Sequence, residues 1–503
     1  MQTRTRYAPW LSQPTKLLIE QRDQAQSRAS SSKLEEDWKV FKSLRNQVTS
    51  KLRVEKSNWQ QDKLKKSSGN PGEQWQFVLG WLDWKTAKSP SQLFHGGRMI
   101  NKPSEIADCQ NEFFINKVAD IRQNLPPQVS DPLAKLKYLR IKAVHPETVE
   151  QILSNLKNSK SSGLDSIDTY CLKLAGQNII PALTHIINLS IETHEFPTFW
   201  KIAKIIPLHK KDDELNPKNY RPVAILPILS KILEKAVFLQ IIDYMDTNHL
   251  LHQNHHGFRA GHSTTTGLIQ MYDSWVEAVD KNQYTGACFL DLSAAFDIVD
   301  HPLLLEKLKP YGFSESALQW LSSYLSGRSQ AVYIESFLSK TLPVPTGVPQ
   351  GSILGPLLYI IFTNELPELV HEHEAENNKL YNMNCPQCGN LCCYADDSTI
   401  SFSSCNTETI SNKITEQYNV VADFMSNNKL KLNGDKTHLM LLATENDWRT
   451  KLVNDSIILN IGQEIIGTSK TEKLIINQNL KWTEHILLNE ESMLTNWAQD
   501  LML

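Results

Sequence analysis

Residues 391–400 read Leu391-Cys392-Cys393-Tyr394-Ala395-Asp396-Asp397-Ser398-Thr399-Ile400, and this pattern predicts two short strands joined by a tight turn. Two adjacent carboxylates, Asp396 and Asp397, are expected at the bend. Apolar residues precede them and β-forming residues follow, which favours a buried hairpin over a peripheral one. Neighbouring carboxylates repel each other unless a cation lies between them, and Mg²⁺ is the oxygen-seeking ion that suits them. The alternative is a solvated turn, because Asp favours turns in any case.

A third carboxylate, Asp291, ends the unbroken apolar run 287–290, which is typical of a strand buried on both faces. Burying an ionised Asp is costly unless a cation or a donor compensates, so Asp291 is a candidate metal ligand. We expect Phe296, five residues on, to wall the same pocket. The role of Asp297 is left open, and Asp300 is predicted to cap a helix that begins at 301.

A glycine- and proline-rich loop occupies residues 346–356, and its composition predicts a fixed loop that other backbone can approach closely. Gln350 offers hydrogen-bond donors and acceptors there, beside Gly351. The loop is not a phosphate-binding Walker loop, because no Gly-Lys-Ser/Thr sequence closes it.

Residues 199–226 predict a β-hairpin that carries Lys204, Lys210 and Arg221. Such cations would hold a triphosphate, Arg with a bidentate fork. The alternative is a surface hairpin with ordinary charges. Further on, Lys436 is a candidate general acid towards a pyrophosphate leaving group, or else a solvated lysine.

An apparent insertion, 365–390, contains Cys385 and Cys388 at a spacing found in zinc knuckles. Four other side chains could complete a set of ligands: His371, His373, Cys392 and Cys393. Half a zinc site also arises by chance, and zinc is not the cofactor that we expect.

The bulk composition excludes several classes of protein. The 503 residues carry a net charge of −3, while residues 1–66 hold fifteen Lys/Arg against seven Asp/Glu, a net of +8. That segment, predicted to be helical, could contact nucleic acid or present a solvated helix face. Four of the eight cysteines lie within 385–393, which is no secreted disulfide framework. No signal core or membrane-spanning run is visible, so we expect an intracellular protein without a membrane partner, in the nucleus or the cytoplasm.

The ordered set of motifs resembles the reverse transcriptases of non-LTR retrotransposons (LINE elements). The resemblance rests on the segments 289–297, 346–356 and 394–397, together with Asn219-Tyr220-Arg221-Pro222, Gly257-Phe258-Arg259 and Asn433-Gly434-Asp435-Lys436-Thr437. It covers roughly residues 160–485. It implies an RNA-directed DNA polymerase that uses an RNA template, a DNA primer and dNTPs; protein partners are not indicated.

The resemblance also assigns roles to the candidate residues. It gives Asp291, Asp396 and Asp397 to two Mg²⁺ ions, with Mn²⁺ as a possible substitute, and makes Phe296 the gate that excludes a 2′-hydroxyl. The remaining implied roles are triphosphate binding by Lys210 and Arg221, packing near the template and incoming base by Gln350 and Gly351, substrate binding by Tyr394, and catalysis by Lys436.

The implied fold is α+β, a right-hand polymerase with fingers, a palm built on an antiparallel sheet, and a partial thumb. The predicted organisation is a basic helical extension (1–66), a Trp-rich linker region (67–145), fingers (146–285), a palm (286–440, with the insertion 365–390) and a truncated thumb (441–503). The reverse transcriptase domain overall is placed at about 190–470. No endonuclease is expected before it, and the short C-terminal part suggests a fragment or a decayed copy. The alternatives to an active polymerase are therefore a catalytically silent relic that only binds nucleic acid or a partner, and a zinc-dependent interaction module.

Overall fold

The computed structural model describes residues 12–32, 34–66, 89–122, 138–159, 161–210, 213–380, 390–444, 447, 459–461, 464–466 and 471–475. The chain divides into two compact units, residues 1–87 and 88–503. Each unit is described by itself.

The first unit contains two helices, α1 (Gln13–Ser32) and α2 (Glu35–Lys66), which pack against each other. The Glu55 carboxylate on α2 accepts hydrogen bonds from the Ser12 amide at 3.0 Å and from the Thr15 hydroxyl at 2.8 Å. These bonds satisfy polar groups at the start of α1, where a helix has no internal partners for its first N–H groups. The predicted helical character of this basic segment is confirmed within the described residues.

The described helices of the second unit are α3 (Pro103–Arg122), α4 (Pro146–Asn155), α5 (Thr169–Ala175), α6 (Ile180–Thr193), α7 (Ile228–Thr247), α8 (Thr264–Asp280), α9 (His301–Leu308), α10 (Glu315–Leu325), α11 (Leu354–Thr363), α12 (Leu366–Leu380) and α13 (Thr407–Asn427). Helices α5 and α6 follow each other closely in the chain but are separate. Gly176, with φ +56°, lies between them in a conformation that glycine adopts without strain. None of the described helices is both long enough and apolar enough to cross a membrane.

The described strands are β1 (Leu93–His95), β2 (Arg98–Ile100), β3 (Ile202–His209), β4 (Tyr220–Ile225), β5 (Tyr284–Leu290), β6 (Ser329–Ile334), β7 (Phe337–Leu338), β8 (Leu342–Pro343), β9 (Asn390–Tyr394), β10 (Asp397–Ser404), β11 (His438–Ala443), β12 (Leu459–Ile461), β13 (Glu464–Ile466) and β14 (Thr471–Ile475). Most of them belong to two five-stranded sheets.

The central sheet has the strand order β14-β11-β5-β10-β9. Strand β5 pairs antiparallel with both neighbours, while β14 runs parallel to β11. All seven residues of β5 are buried, which confirms the strand predicted from its continuous apolar run. One face of the sheet contacts the main hydrophobic core, and the other packs on α8 through Trp275 and Met271.

The second sheet, here called the hairpin sheet, has the order β4-β3-β6-β7, with β8 also paired to β6. Its β3–β4 pair confirms the hairpin predicted within 199–226. Helix α3 covers one face, where Ile106 and Phe114 share a buried hydrophobic cluster with Ile205 and Val332. The Asn111 amide also donates to the Lys340 carbonyl at 2.8 Å.

The sheets divide the chain differently from the predicted ranges. Strand β6, inside the range predicted as palm, pairs with β3 of the predicted fingers. Strand β14, inside the range predicted as thumb, pairs with β11 of the central sheet. Helix α3 lies in the range predicted as a linker. It forms there because its apolar residues, at helical spacing, are buried against the hairpin sheet.

Candidate active site

The turn between β9 and β10 contains two residues, Ala395 and Asp396. Asp397 pairs with Tyr394 and is already the first residue of β10, so one carboxylate lies in the turn and the other in the strand, not both in the bend as predicted. Ala395 has φ +55°, which is uncommon outside glycine and suits a two-residue hairpin turn. The hairpin itself is confirmed.

Asp291 reaches this turn because β5 and β10 are neighbours. Leu290 pairs with Ser398, and continuing that antiparallel register by one residue places Asp291 opposite Asp397. Directly opposed residues have β-carbons about 4.5–5.5 Å apart. The sheet therefore brings together the carboxylates predicted from two distant segments of the chain.

The electrostatics of Asp396 reflect this crowding. Burial raises the pKa of its carboxyl, and the negative charge of Asp291 raises it further, while Lys436 and Lys210 lower it. A carboxylate that is both desolvated and close to a second one favours the approach of a cation. Four of the predicted site residues are thus close enough to influence one another.

Asn433 is a site residue that sequence reasoning did not single out. Its side-chain amide donates to Asp291 Oδ2 at 2.9 Å, and its backbone N–H donates to the Asp291 carbonyl at 2.9 Å. The Lys436 ammonium lies 3.3 Å from the same Oδ2. The stretch 433–437 carried the family resemblance, but nothing in its local pattern indicated which aspartate it would meet.

Phe296 lies between two other aromatic rings. Its ring centroid is 4.5 Å from that of Tyr359 and 6.4 Å from that of Phe258, the latter in an edge-to-face arrangement. Tyr359 is fully buried, and burial together with the charges of Asp396 and Asp397 raises the pKa of its hydroxyl. Phe296 therefore packs against a buried ring whose hydroxyl pKa is influenced by the charges of these carboxylates.

The glycine-rich loop connects the site to the hairpin sheet. Gln350 Nε2 donates to Asp297 Oδ1 at 2.6 Å, and a β-carbon on Gly347 would lie 2.5 Å from the Asp297 carbonyl oxygen. Gly351 (φ +73°) approaches the Ala224 carbonyl oxygen in the same way, at 2.7 Å. Burial raises the pKa of Asp297 to about 6, although the Gln350 hydrogen bond opposes the rise. Asp297, left open by the sequence, therefore anchors this loop.

Lys210 and Arg221 share one face of the β3–β4 hairpin. Arg221 pairs with Leu208, and the Lys210 N–H donates to the Asn219 carbonyl at 2.8 Å, which extends the ladder by one step. Residues 208, 210 and 221 then point to the same side, because strand side chains alternate. Tyr220 points to the opposite side, into the cluster beneath α3. Of the two cations, Lys210 is the one whose charge influences Asp396.

The outer edge of β9 is closed by the segment 254–257. The His256 N–H donates to the Cys393 carbonyl, and the Cys393 N–H donates to the Asn254 carbonyl, both at 2.9 Å. His255 and His256 are buried, and burial lowers the pKa of both. Gly257 then passes close to the backbone of Ala395.

The donor chemistry of the site fits a hard divalent cation. The carboxylates of Asp291 and Asp396 are oxygen donors of the kind that such an ion prefers. A cation between them would also relieve their mutual repulsion. Within the described ranges, no three His, Cys, Asp or Glu side chains are grouped closely enough to hold a metal ion. The ammonium of Lys436 is in direct contact with Asp291.

The described residues do not support zinc at Cys392 and Cys393. The two thiols point to opposite faces of β9, into different hydrophobic clusters. Burial raises the pKa of each to about 12, which disfavours the thiolate that zinc binds. Cys385 and Cys388 lie outside the described residues.

Comparison with known proteins supports the resemblance to reverse transcriptases. The family model for the reverse transcriptase (RNA-dependent DNA polymerase) matches residues 208–479. The chain is 29% identical over 497 residues to the probable RNA-directed DNA polymerase from transposon BS of Drosophila melanogaster, an alignment that covers 95% of this chain and 53% of that protein.

Two further relatives are similar over shorter stretches. The probable RNA-directed DNA polymerase from transposon X-element of Drosophila melanogaster is 34% identical over 229 residues, 44% of this chain and 25% of that protein. The RNA-directed DNA polymerase from mobile element jockey of Drosophila funebris is 35% identical over 222 residues, 44% of this chain and 24% of that protein. The chain thus spans about half the length of the first relative and about a quarter of the other two. The motif set, the converging carboxylates and these matches together show that the chain belongs to the reverse transcriptase family, and that its relatives are the reverse transcriptases of non-LTR retrotransposons.

Proposed function

We propose that this chain is an RNA-directed DNA polymerase that transfers a nucleotide from a dNTP to the 3′-hydroxyl of a primer paired with an RNA template. The observation that carries the proposal is the convergence of Asp291 and Asp396, from the end of β5 and the β9–β10 turn. The pairing of β5 with β10 and of β10 with β9 brings them together, and the charge of Asp291 adds to the effect of burial in raising the pKa of Asp396. Phosphoryl transfer depends chiefly on positioning and on neutralising charge, and this site offers both.

The carboxylates Asp291, Asp396 and Asp397 would hold two Mg²⁺ ions, or Mn²⁺ in their place. When bound, the ions supply activation of the primer hydroxyl and neutralisation of the triphosphate charge. The chain's own side chains do the remaining work: Lys210 and Arg221 bind triphosphate oxygens from one face of the hairpin sheet, opposite the carboxylates. Lys436, exposed and next to Asp291, donates a proton to the departing pyrophosphate.

The substrate pocket follows from the aromatic and glycine-rich elements. Phe296, supported by Tyr359, lies where a 2′-hydroxyl on the incoming nucleotide would clash with its ring. Gln350 and Gly351, fixed by Asp297 and by Ala224, contact the template and the incoming base. Tyr394, half-buried before the turn, completes the pocket beside the primer end.

In this proposal the two sheets correspond to parts of a right hand. The hairpin sheet, with Lys210 and Arg221, belongs to the fingers, and the central sheet is the palm. The range 441–503, apart from the residues of β11 and β14 that join the central sheet, would correspond to a partial thumb.

Mg²⁺-dependent primer extension on a poly-rA template with an oligo-dT primer tests the proposal. The full chain should extend the primer, and Asp396→Asn should abolish extension while preserving the fold, because it keeps the size of the side chain and removes a charged ligand. Asp423→Asn, at an exposed position on α13, is the matched control and should extend like the parent. Folded, soluble parent protein that fails to extend would overturn the proposal and leave a relic with at most a nucleic-acid or partner-binding role.

A further inference from the structure

The segment that follows α13 joins the end of β5 through backbone pairing. Leu432 forms an antiparallel bridge with Leu292, and the Ser293 N–H donates to the Lys431 carbonyl at 2.9 Å. This pairing fixes the position of the next residue, Asn433, relative to Asp291.

Asn433 binds Asp291 at two points. Its backbone N–H donates to the Asp291 carbonyl, and its side-chain amide donates to Asp291 Oδ2, each at 2.9 Å. The first bond holds the backbone and the second selects one orientation of the carboxylate. Because an aspartate side chain has two rotatable bonds, its direction would otherwise be set only by neighbouring charges.

The Asn433 carbonyl is itself held in place. It accepts from the Thr437 hydroxyl at 3.1 Å and from the Lys436 N–H at 3.1 Å. Thr437 is fully buried. The asparagine is therefore part of a rigid turn, and its amide is a fixed donor that does not need to be ordered when a ligand binds.

We propose that Asn433 is a positioning residue for the divalent cation of the polymerase site: its amide holds the Asp291 carboxylate so that the free lone pairs point towards the ion. The inference rests on the proposed function, in which Asp291 is a metal ligand. Hydrogen bonds from a neighbouring group to a ligating carboxylate fix its direction, and their loss typically weakens metal affinity by roughly 10–100-fold.

Asn433→Leu separates this role from the backbone pairing. Leucine has the same number and branching of side-chain heavy atoms as asparagine and keeps the backbone N–H, so the bond to the Asp291 carbonyl remains while the side-chain donor is lost. Asn428→Ala is the matched structural control. Asn428, on the same connecting segment, is buried and donates to the Phe424 carbonyl at 2.7 Å, at the end of α13.

The measurement is titration of the full chain with Mn²⁺ alone, in which electron paramagnetic resonance counts the free ion. Asn433→Leu should weaken Mn²⁺ affinity about tenfold or more, whereas Asn428→Ala should lower the thermal unfolding temperature and leave the affinity unchanged. In primer extension, excess Mn²⁺ should restore the rate of Asn433→Leu, which a purely structural defect would not allow.

Asp291→Asn separates the role of Asp291 as a metal ligand from the role of Asn433 in positioning it. If Asp291→Asn weakens Mn²⁺ binding and Asn433→Leu binds like the parent, the positioning role of Asn433 is wrong while the metal assignment stands. If Asp291→Asn also binds Mn²⁺ like the parent, the metal assignment in the proposed function fails, and the role of Asn433 fails with it.

Discussion

Gly257 and Ala395 approach each other so closely that a β-carbon on Gly257 would lie 2.6 Å from the Ala395 nitrogen. The atom in the way is backbone, at the turn that presents Asp396, so it cannot rotate aside as a flexible side chain would. The segment 254–257 and the carboxylate turn are therefore fitted to each other, and the space between them admits only glycine.

Gly257→Ala should displace this turn and reduce primer extension strongly. Overpacking against backbone costs about 1–3 kcal/mol, and a shift of about 1 Å in a reacting group can lower the rate roughly 100-fold. Gly267→Ala is the control, since its β-carbon would meet nothing closer than 3.4 Å and it lies in a helix. Equal extension by Gly257→Ala and the parent would contradict the expectation.

Asp297→Asn should change how stability depends on pH. The folded pKa of Asp297, about 6, lies above the ordinary value of 3.8, so between these values the folded state binds more protons than the unfolded state. The contribution of Asp297 to stability is therefore fully present below about pH 4 and is lost as the pH rises to about 6, by up to about 3 kcal/mol at 1.36 kcal/mol per pKa unit.

Denaturant unfolding of the parent and of Asp297→Asn at pH 4, 5, 6 and 7 measures this difference. The free energy of unfolding of the parent, relative to that of the variant, should fall across the window. A constant difference between the two proteins from pH 4 to pH 7 would show that Asp297 titrates normally.

Asp300→Asn should destabilise the fold. The Asp300 carboxylate is buried, caps α9 through the Leu303 N–H at 3.1 Å, and forms ion pairs with Arg122 of α3 at 2.5 Å and with Lys429 at 3.0 Å. Removing the anion leaves two cations partly buried, which typically costs about 3 kcal/mol or more. The hydrogen bond from the Leu303 N–H confirms the predicted cap, and the two ion pairs were not indicated by the sequence.

The pH dependence supplies a second measurement on Asp300. Burial opposes ionisation, but Lys429, the Leu303 N–H and Arg122 together lower the pKa of Asp300. Its stabilising contribution is therefore present above the ordinary pKa of an aspartate and disappears as the pH falls through the lowered value. Thermal unfolding should separate the parent from Asp300→Asn at pH 7 and bring them closer at acid pH, while the exposed Asp423→Asn should match the parent throughout.

Phe258 should influence sugar selection through Phe296. Phe296→Val would open the pocket directly and increase incorporation of rNTPs relative to dNTPs. Phe258→Ala removes an edge-to-face contact worth about 0.5–1.5 kcal/mol, so its effect should have the same direction and stay within about tenfold. Tyr359→Phe keeps the ring beside Phe296 and serves as the control.

The ratio of kcat/KM for rUTP and dTTP on the same primer and template gives the measurement. An unchanged ratio in Phe296→Val would show that Phe296 does not exclude the 2′-hydroxyl. A changed ratio there, with a parent-like ratio in Phe258→Ala, would limit the role of Phe258 to packing.

Local sequence patterns predicted the strand and the hairpin that carry the site carboxylates. The apolar run before Asp291 predicted a doubly buried strand, and the apolar and β-forming residues on either side of Asp396 and Asp397 predicted a hairpin. Both are present. The contact between Asn433 and Asp291 joins residues that are 142 positions apart. It depends on the register of the central sheet, which periodicity and composition do not encode.

The packing of α3 was missed for a related reason. Its apolar residues are spaced for a helix, but the surrounding proline- and tryptophan-rich sequence suggested a linker, and its partners are on β3 and β6. Likewise β14 was assigned to a thumb because of its place in the chain, whereas parallel pairing with β11 includes it in the central sheet.

The central position of β5 also has a consequence for biosynthesis. Both strands that flank it come later in the chain, and its cross-strand partners Thr285 and Ser403 are 118 residues apart. At about 5–20 residues per second, a ribosome needs roughly 6–24 s to reach the partner strand. During that interval a strand that is buried along its whole length in the folded chain has no sheet to join, so the nascent chain should depend on chaperones until β10 has emerged.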